Sequence, residues 1–244
     1  MFGLANKNRG EKMILQNYRN ILMFFAHPDD ETLAAGATMS KLNRLGATIH
    51  IAIPATGIHS RRNISSGKSR KTNLAKLRQD CQRACAVFGV SKEHIYLGEF
   101  FDNEMDKGTL LEVVHWLQAI IVKVKPDMIL THHRYCTNID HQYCHEAAVV
   151  ATRPALNSHI PILCGEVPSS TGYLRPAQWE PNLYVEVSEE DLEAKVRAMK
   201  LYKGEARLDP HPRSPEVLKA LAKVRGSESG YLFAEAFMIQ RIFG

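Results

Sequence analysis

The hexapeptide ILMFFA at residues 21–26 has no polar side chain. A strand with one wet face alternates apolar and polar residues, so an unbroken apolar run of this length reads as a strand buried on both faces. Such a strand belongs inside a sheet covered on two sides. The next 130 or so residues repeat the theme. Strands are expected at 21–26, 48–57, 94–100 and 127–133, and helices at 31–45, 72–89, 109–125 and 140–153. Gly46, Gly89, Pro126 and Pro154 supply the stops. A later strand at 183–188 leads into a helix reaching about residue 202, with Ser188 capping the acidic first turn Glu189–Asp191.

Regular alternation of strand and helix predicts an α/β fold: a Rossmann-like, mostly parallel sheet flanked by helices, with ligands bound beyond the carboxyl ends of the strands. A chain of 244 residues is long enough for one such domain, expected to span 1–244 with residues 1–20 as a peripheral extension. No run of about 18 apolar residues occurs, and the N-terminal segment lacks the apolar core and small-residue cleavage site of a signal peptide. The five cysteines are odd in number and none has CxxC spacing, which fits a reducing compartment. A cytoplasmic location is therefore expected.

The strand at 21–26 runs straight into His27, Pro28, Asp29, Asp30 and Glu31. Acids in the first turn of a helix suit its dipole, which accounts for one or two of them. It does not account for a histidine at the strand end followed by two adjacent aspartates. Unpaired, these carboxylates repel and raise one another's pKa, and a divalent cation removes the conflict. His nitrogen and Asp oxygen are ordinary zinc ligands, and a catalytic zinc site has three protein ligands with one open position. A third ligand is expected from another strand end. The strand at 127–133 leads to His132, His133, His141 and His145. His141 and His145 have the i,i+4 spacing of a helical metal pair, but without the glutamate of HExxH. His145 is read as a neighbour on the helix, not a ligand.

The net charge of +5 is mild and partly local: residues 59–71 carry five Lys or Arg and no acid. That stretch reads either as a solvated loop or as a rim attracting an anionic substrate. Basic stripes interleaved with aromatics are absent, so nucleic acid is not an expected partner. The Pro-flanked stretch 208–218 reads as a loop and helix start, from which His211 and Arg213 could reach a substrate or simply lie on the surface.

The segment AHPDDE after a hydrophobic strand, with DH opening a later helix, resembles the LmbE-like (PIG-L) zinc-dependent N-deacetylases. LAKLRQDCQRACAVFGV is similar to that family's Arg-bearing helix, YLGEFFDNEM to its strand followed by an aspartate, and RGSESGYLFAEAFMIQR to the tail of bacterial members linked to surface glycans. The resemblance implies one zinc per chain held by His27, Asp30 and His141, with Asp29 as general base. It implies that Arg78 contacts the substrate or its oxyanion and that Asp102 lies near substrate hydroxyls or caps a helix. The substrate so implied is an N-acetylated amino sugar, free on a nucleotide, lipid-linked or in a glycan. Asn138 stands where many relatives carry a histidine. Its amide can donate a hydrogen bond to substrate but cannot supply a proton, so either Asp29 returns to the amine the proton it took from water, the favoured course, or a nearby histidine such as His132, His133 or His145 supplies it. Two rivals remain: an amidase acting on another small amide such as a thiol conjugate, and a non-catalytic sugar-binding protein stabilised by a metal. Keeping both Asp29 and Asp30 favours an enzyme, since a structural metal needs no base. Association with a second copy of the chain is left open.

Overall fold

Seven strands form one sheet in the order β3-β2-β1-β4-β5-β7-β6. The computed structural model describes residues 14–55, 67–156, 159–175 and 178–243. The basic stretch at 59–66 lies outside the described residues, as does 1–13 of the expected extension. The remainder of that extension is part of the fold: Leu15 is buried in the core, and β1 (Asn20–Phe24) begins at Asn20.

β1 lies inside the sheet, parallel to β2 (Thr48–Ala55) on one side and β4 (Met128–His132) on the other. β3 (Ile95–Phe100) pairs in parallel with β2, and β5 (Ile162–Gly165) with β4. β7 (Ala234–Arg241) runs antiparallel to both β5 and β6 (Leu183–Glu186), so the sheet is mixed at that end. The apolar run at 21–26 is explained by its two faces. Ile21, Met23 and Phe25 enter a core with α1 (Asp30–Arg44), α2 (Gly67–Val87) and α5 (Glu189–Leu201). Leu22, Phe24 and Ala26 enter another with α3 (Leu110–Val124) and α4 (Ile139–Ala151). α6 (Pro215–Ser229) packs against β7 and contributes Leu218 to the first core.

Local chemistry sets the element ends. Thr109 with Glu112, and Ser188 with Asp191, form capping boxes at α3 and α5, the second as the sequence predicts. Gly46 and Gly89, at φ +86° and +76°, follow α1 and α2 in the left-handed conformation that stops a helix. The chain leaves β1 toward β2 and β3, then crosses to β4 on β1's other side. That reversal between β1 and β4 is a topological switch point, where the loops diverge and open a crevice.

Candidate metal and substrate site

The crevice at the switch point is a cleft of about 240 Å³ whose lining includes His27, Asp29, Asp102, Asn138, His141 and Arg213. A larger groove of about 730 Å³ lies across the 101–104 loop, lined by Phe100, Glu104, Trp116 and others, with no histidine or cysteine in its walls. Chemistry, not volume, therefore selects the smaller cleft.

Two strand ends and two helix starts build it. His27 follows β1, Asp30 opens α1, and His141 sits in the first turn of α4, capped by Asn138. The backbone N–H of Ala26 donates to His132 Nε2 at 2.7 Å, tying the end of β1 to the end of β4. His27 Nδ1 and His141 Nε2 each lie 3.1 Å from Asp30 Oδ2. Donor atoms of these three buried residues all fall within 4.8 Å of one another.

The opposite side of the His27 ring is held by acids. Nε2 lies 2.9 Å from both Asp140 Oδ2 and Asp102 Oδ1. Asp140 is itself fixed by the backbone N–H groups of Asn103 (2.6 Å) and Met105 (3.1 Å). With Nε2–H donated to these carboxylates, the Nδ1 lone pair faces an Asp30 oxygen lone pair at 3.1 Å. Such a contact needs positive charge between the two atoms, either a second proton or a metal cation. Burial alone lowers the His27 pKa, but hydrogen bonds donated to Asp102, Asp140 and Asp30 outweigh it and raise the value well above normal. Burial works the other way on Asp30, yet the charge and hydrogen bond of His141 hold its carboxyl well below the usual range. A carboxylate–histidine pair behind two nitrogen donors and one oxygen is the donor set and outer layer of a catalytic zinc site, so these residues fit a divalent metal. A second grouping, His132, Cys136 and His141, shares His141 with the first.

Asp29 lies beside this set. It occupies the N-cap position of α1 with φ +120° and ψ −29°. Its backbone N–H donates to Glu31 Oε2 at 3.0 Å. Its carboxylate accepts from Arg213 Nη1 at 2.8 Å. Burial pushes the Asp29 carboxyl well up, Arg213 pulls it down, and neighbouring Asp30 and Glu31 push it up again. A raised carboxyl pKa suits a group that must exchange a proton near neutral pH.

The sequence-predicted residues are not all brought together. His27, Asp29, Asp102, Asn138 and His141 line the cleft, and Asp30 meets it through His27 and His141. Arg78 does not line it; Leu77 does, and Arg78 Nη2 lies 3.6 Å from the exposed Glu99 of β3. Asn138 is partly committed: its Oδ1 accepts from the Asp140 N–H at 2.8 Å and its Nδ2 donates to Asn103 Oδ1 at 2.7 Å. Glu31, Thr32 and Tyr202 form a buried set in which the Thr32 hydroxyl (2.7 Å) and the Tyr202 hydroxyl (2.6 Å) donate to Glu31. His145 donates through Nδ1 to the His132 carbonyl, away from the cleft. His133 packs edge-on against Trp179. Sequence reasoning gave Asp140 and Glu205 no role. Asp140 lies inside the NIDH segment that marks the start of α4, so its position was visible although its partner was not. Glu205, which accepts from Arg213 at 2.8 Å, had no sequence signal.

Residues 22–152 match the family profile described as PIG-L: GlcNAc-PI de-N-acetylase. Over 203 residues the chain is 25% identical to the uncharacterized deacetylase YaiS of Escherichia coli K12, covering 82% of this chain and 94% of that one. It is 28% identical over 156 residues to the 1D-myo-inositol 2-acetamido-2-deoxy-alpha-D-glucopyranoside deacetylase of Thermomonospora curvata, 54% of this chain but only 52% of that relative's length. The fold is similar to that of N,N'-diacetylchitobiose deacetylase from Pyrococcus horikoshii, with a TM-score of 0.74 at 20% identity over 93% of this chain and 85% of that one. The profile takes in more than half of the sequence, from β1 through α4 and every residue of the His27–Asp30–His141 set, and the chain belongs to the PIG-L family.

Proposed function

We propose that this protein is a zinc-dependent N-deacetylase that hydrolyses the acetamide of an N-acetylated amino sugar. The observation that supports the reading is the convergence of His27 Nδ1 and His141 Nε2 on Asp30 Oδ2, with His27, His141 and Asp29 lining one cleft. Zinc held by His27, Asp30 and His141 would supply Lewis acidity, polarising the acetamide carbonyl and acidifying water. Asp29 takes a proton from the water that attacks the acetyl carbon. As the C–N bond breaks, Asp29 returns that proton to the leaving nitrogen, giving acetate and a free amine. This double duty follows from the absence of a histidine at Asn138. Asp102 and Asn103, which also line the cleft, offer an acceptor and a donor of the kind sugar hydroxyls require. The sugar class is supported by relatives whose substrates are an acetamido-deoxyglucoside of inositol and diacetylchitobiose.

The test is acetate release from a panel of N-acetylhexosamine glycosides, read together with metal content. The wild-type protein is expected to purify with one zinc and to release acetate. His27→Ala, Asp30→Ala and His141→Ala are each expected to lose both. Full zinc occupancy in all three folded variants would overturn the ligand set. A zinc-loaded protein that releases acetate from no member of the panel would overturn the substrate class.

A further inference from the structure

We propose that Arg213 is a positioning residue that holds the carboxylate of Asp29 in its reactive orientation, a role that rests on reading Asp29 as the base. Asp29 cannot hold itself. Its backbone is at φ +120°, a conformation strained for a non-glycine residue that persists only where surroundings enforce it. Its neighbours Asp30 and Glu31 are both acids that repel its side chain. The Glu31 carboxylate anchors the Asp29 backbone N–H, but it can only accept, so it does nothing for the Asp29 carboxylate. Among the described residues, Arg213 is the one hydrogen-bond donor to that carboxylate.

Arg213 is itself held by partners other than Asp29. Its Nη1 also donates to Glu205 at 2.8 Å and its Nε to Ser169 Oγ at 3.2 Å. Two of its three contacts are thus independent of Asp29 and anchor the guanidinium on the cleft wall. The residue itself stands immediately before Ser214, the N-cap of α6, and its own N–H donates to His211 Nδ1 at 3.1 Å. The side chain is 23% exposed and Asp29 3%, so the pair sits at the cleft wall with little solvent screening. Arg213 lies outside residues 22–152, the part that matches the family profile. The amino-terminal part of the chain thus carries the base, and the carboxyl-terminal part supplies the group that aims it.

A residue acting through Asp29 changes turnover more than binding. Arg213→Gln in the full-length protein is expected to lower kcat by about 100-fold, the cost of a roughly 1 Å misplacement, with little change in KM or zinc content. Arg213→Lys, which keeps the charge without the planar fork, should recover part of that loss. In an Asp29→Asn background, Arg213→Gln should cost nothing further, because contacting residues that act as a unit are not additive. Crystal structures of the wild-type and Arg213→Gln proteins provide an arm independent of activity: the Asp29 carboxylate is expected to swing from its wild-type position. If Arg213→Gln does not fold, Arg213→Lys carries the same kinetic and crystallographic comparison. The proposal is overturned by an unmoved Asp29 carboxylate, by unchanged kcat, or by a raised KM at constant kcat, the last marking a substrate contact instead. Failure of the deacetylase reading itself would appear as a wild-type protein that releases no acetate, and the crystallographic comparison still decides the role of Arg213.

Discussion

Asp29 and Glu31 are two residues apart, equally acidic, and fold into opposite roles. Glu31 is fully buried and accepts from the Tyr202 and Thr32 hydroxyls and the Asp29 N–H, so every contact is spent on structure. Asp29 turns its carboxylate to the cleft and Arg213. Substitution of Asp29 should therefore separate chemistry from metal binding. Asp29→Asn keeps side-chain size, leaves the His27, Asp30 and His141 donors untouched, and removes the capacity to accept a proton. Zinc content is expected to be near wild type, with kcat down on the order of 100-fold or more. A near-normal rate at saturating substrate would assign the base elsewhere, and the buried contacts of Glu31 make it a poor successor. Asn138 shows the same division of labour. One amide atom caps α4 and another braces Asn103, so a share of any loss in Asn138→Ala comes from a loosened helix start, typically about 1 kcal/mol.

Helix α1 reads from sequence as one uninterrupted helix, yet its backbone breaks at Ala35, with φ −144° and ψ 18°. The break frees N–H groups that need acceptors. Glu235 of β7 provides them, accepting from Ala37 N–H at 3.2 Å and Thr38 N–H at 2.7 Å, and Lys195 of α5 neutralises it at 2.6 Å. Gly36 makes room, since a Cβ there would lie 2.9 Å from Lys195 Cγ. The AEAF tail motif is thereby explained as a splint for the helix that carries Asp30. Both charged partners are 5% exposed, so removing one strands the other. Glu235→Gln is expected to destabilise the protein by about 3–5 kcal/mol, because it leaves a buried lysine uncompensated. Lys195→Met should cost less, since Glu235 keeps its two backbone donors, and the Lys195→Met/Glu235→Gln double variant should recover part of the single Glu235 loss. Denaturation midpoints measure all three. Equal stability of Glu235→Gln and wild type would remove the splint from consideration.

At the scale of the whole molecule, a histidine pair lies outside the cleft. His50 of β2 packs against His94, ring centroids 4.4 Å apart, with Lys123 poised over the adjacent Tyr96. Burial, then the positive potential of His94 and Lys123, lowers the His50 pKa from 6.5 to about 4. A base whose folded pKa is depressed binds its proton more readily in the unfolded chain. Its contribution to stability is therefore full above pH 6.5 and is lost as pH falls toward 4. The melting temperature should decline over that interval, and His50→Gln should flatten the decline. An unchanged slope would place the acid sensitivity in other groups. No helix among the described residues is long and apolar enough to cross a membrane, and all five cysteines are buried free thiols. At this scale the candidate site joins distant parts of the chain, with His27, Asp30 and His141 from the family-matched segment and Arg213 and Glu205 from beyond α5.

The sequence alone determined whatever depends on near neighbours in the chain. The double-faced apolar run at 21–26 specified an interior strand, and strand–helix alternation specified a mostly parallel sheet with the candidate cleft at the carboxyl ends of its strands. The HPDDE and DH segments made His27, Asp29, Asp30 and His141 visible because each is a chemical anomaly at an element boundary. The antiparallel β7, the break in α1 and the commitment of Asn138 to a helix cap were decided only by tertiary structure. So were Arg213 in place of Arg78 at the cleft, Asp140 behind His27 and Glu235 beneath α1. Each of these depends on a partner far away in the chain or on a local rotation of a helix. Arg78 illustrates the limit. The turn of α2 that presents Leu77 to the cleft carries the next side chain toward Glu99, and a helical period of 3.6 residues cannot say which face meets a site that is closed from the other end of the chain.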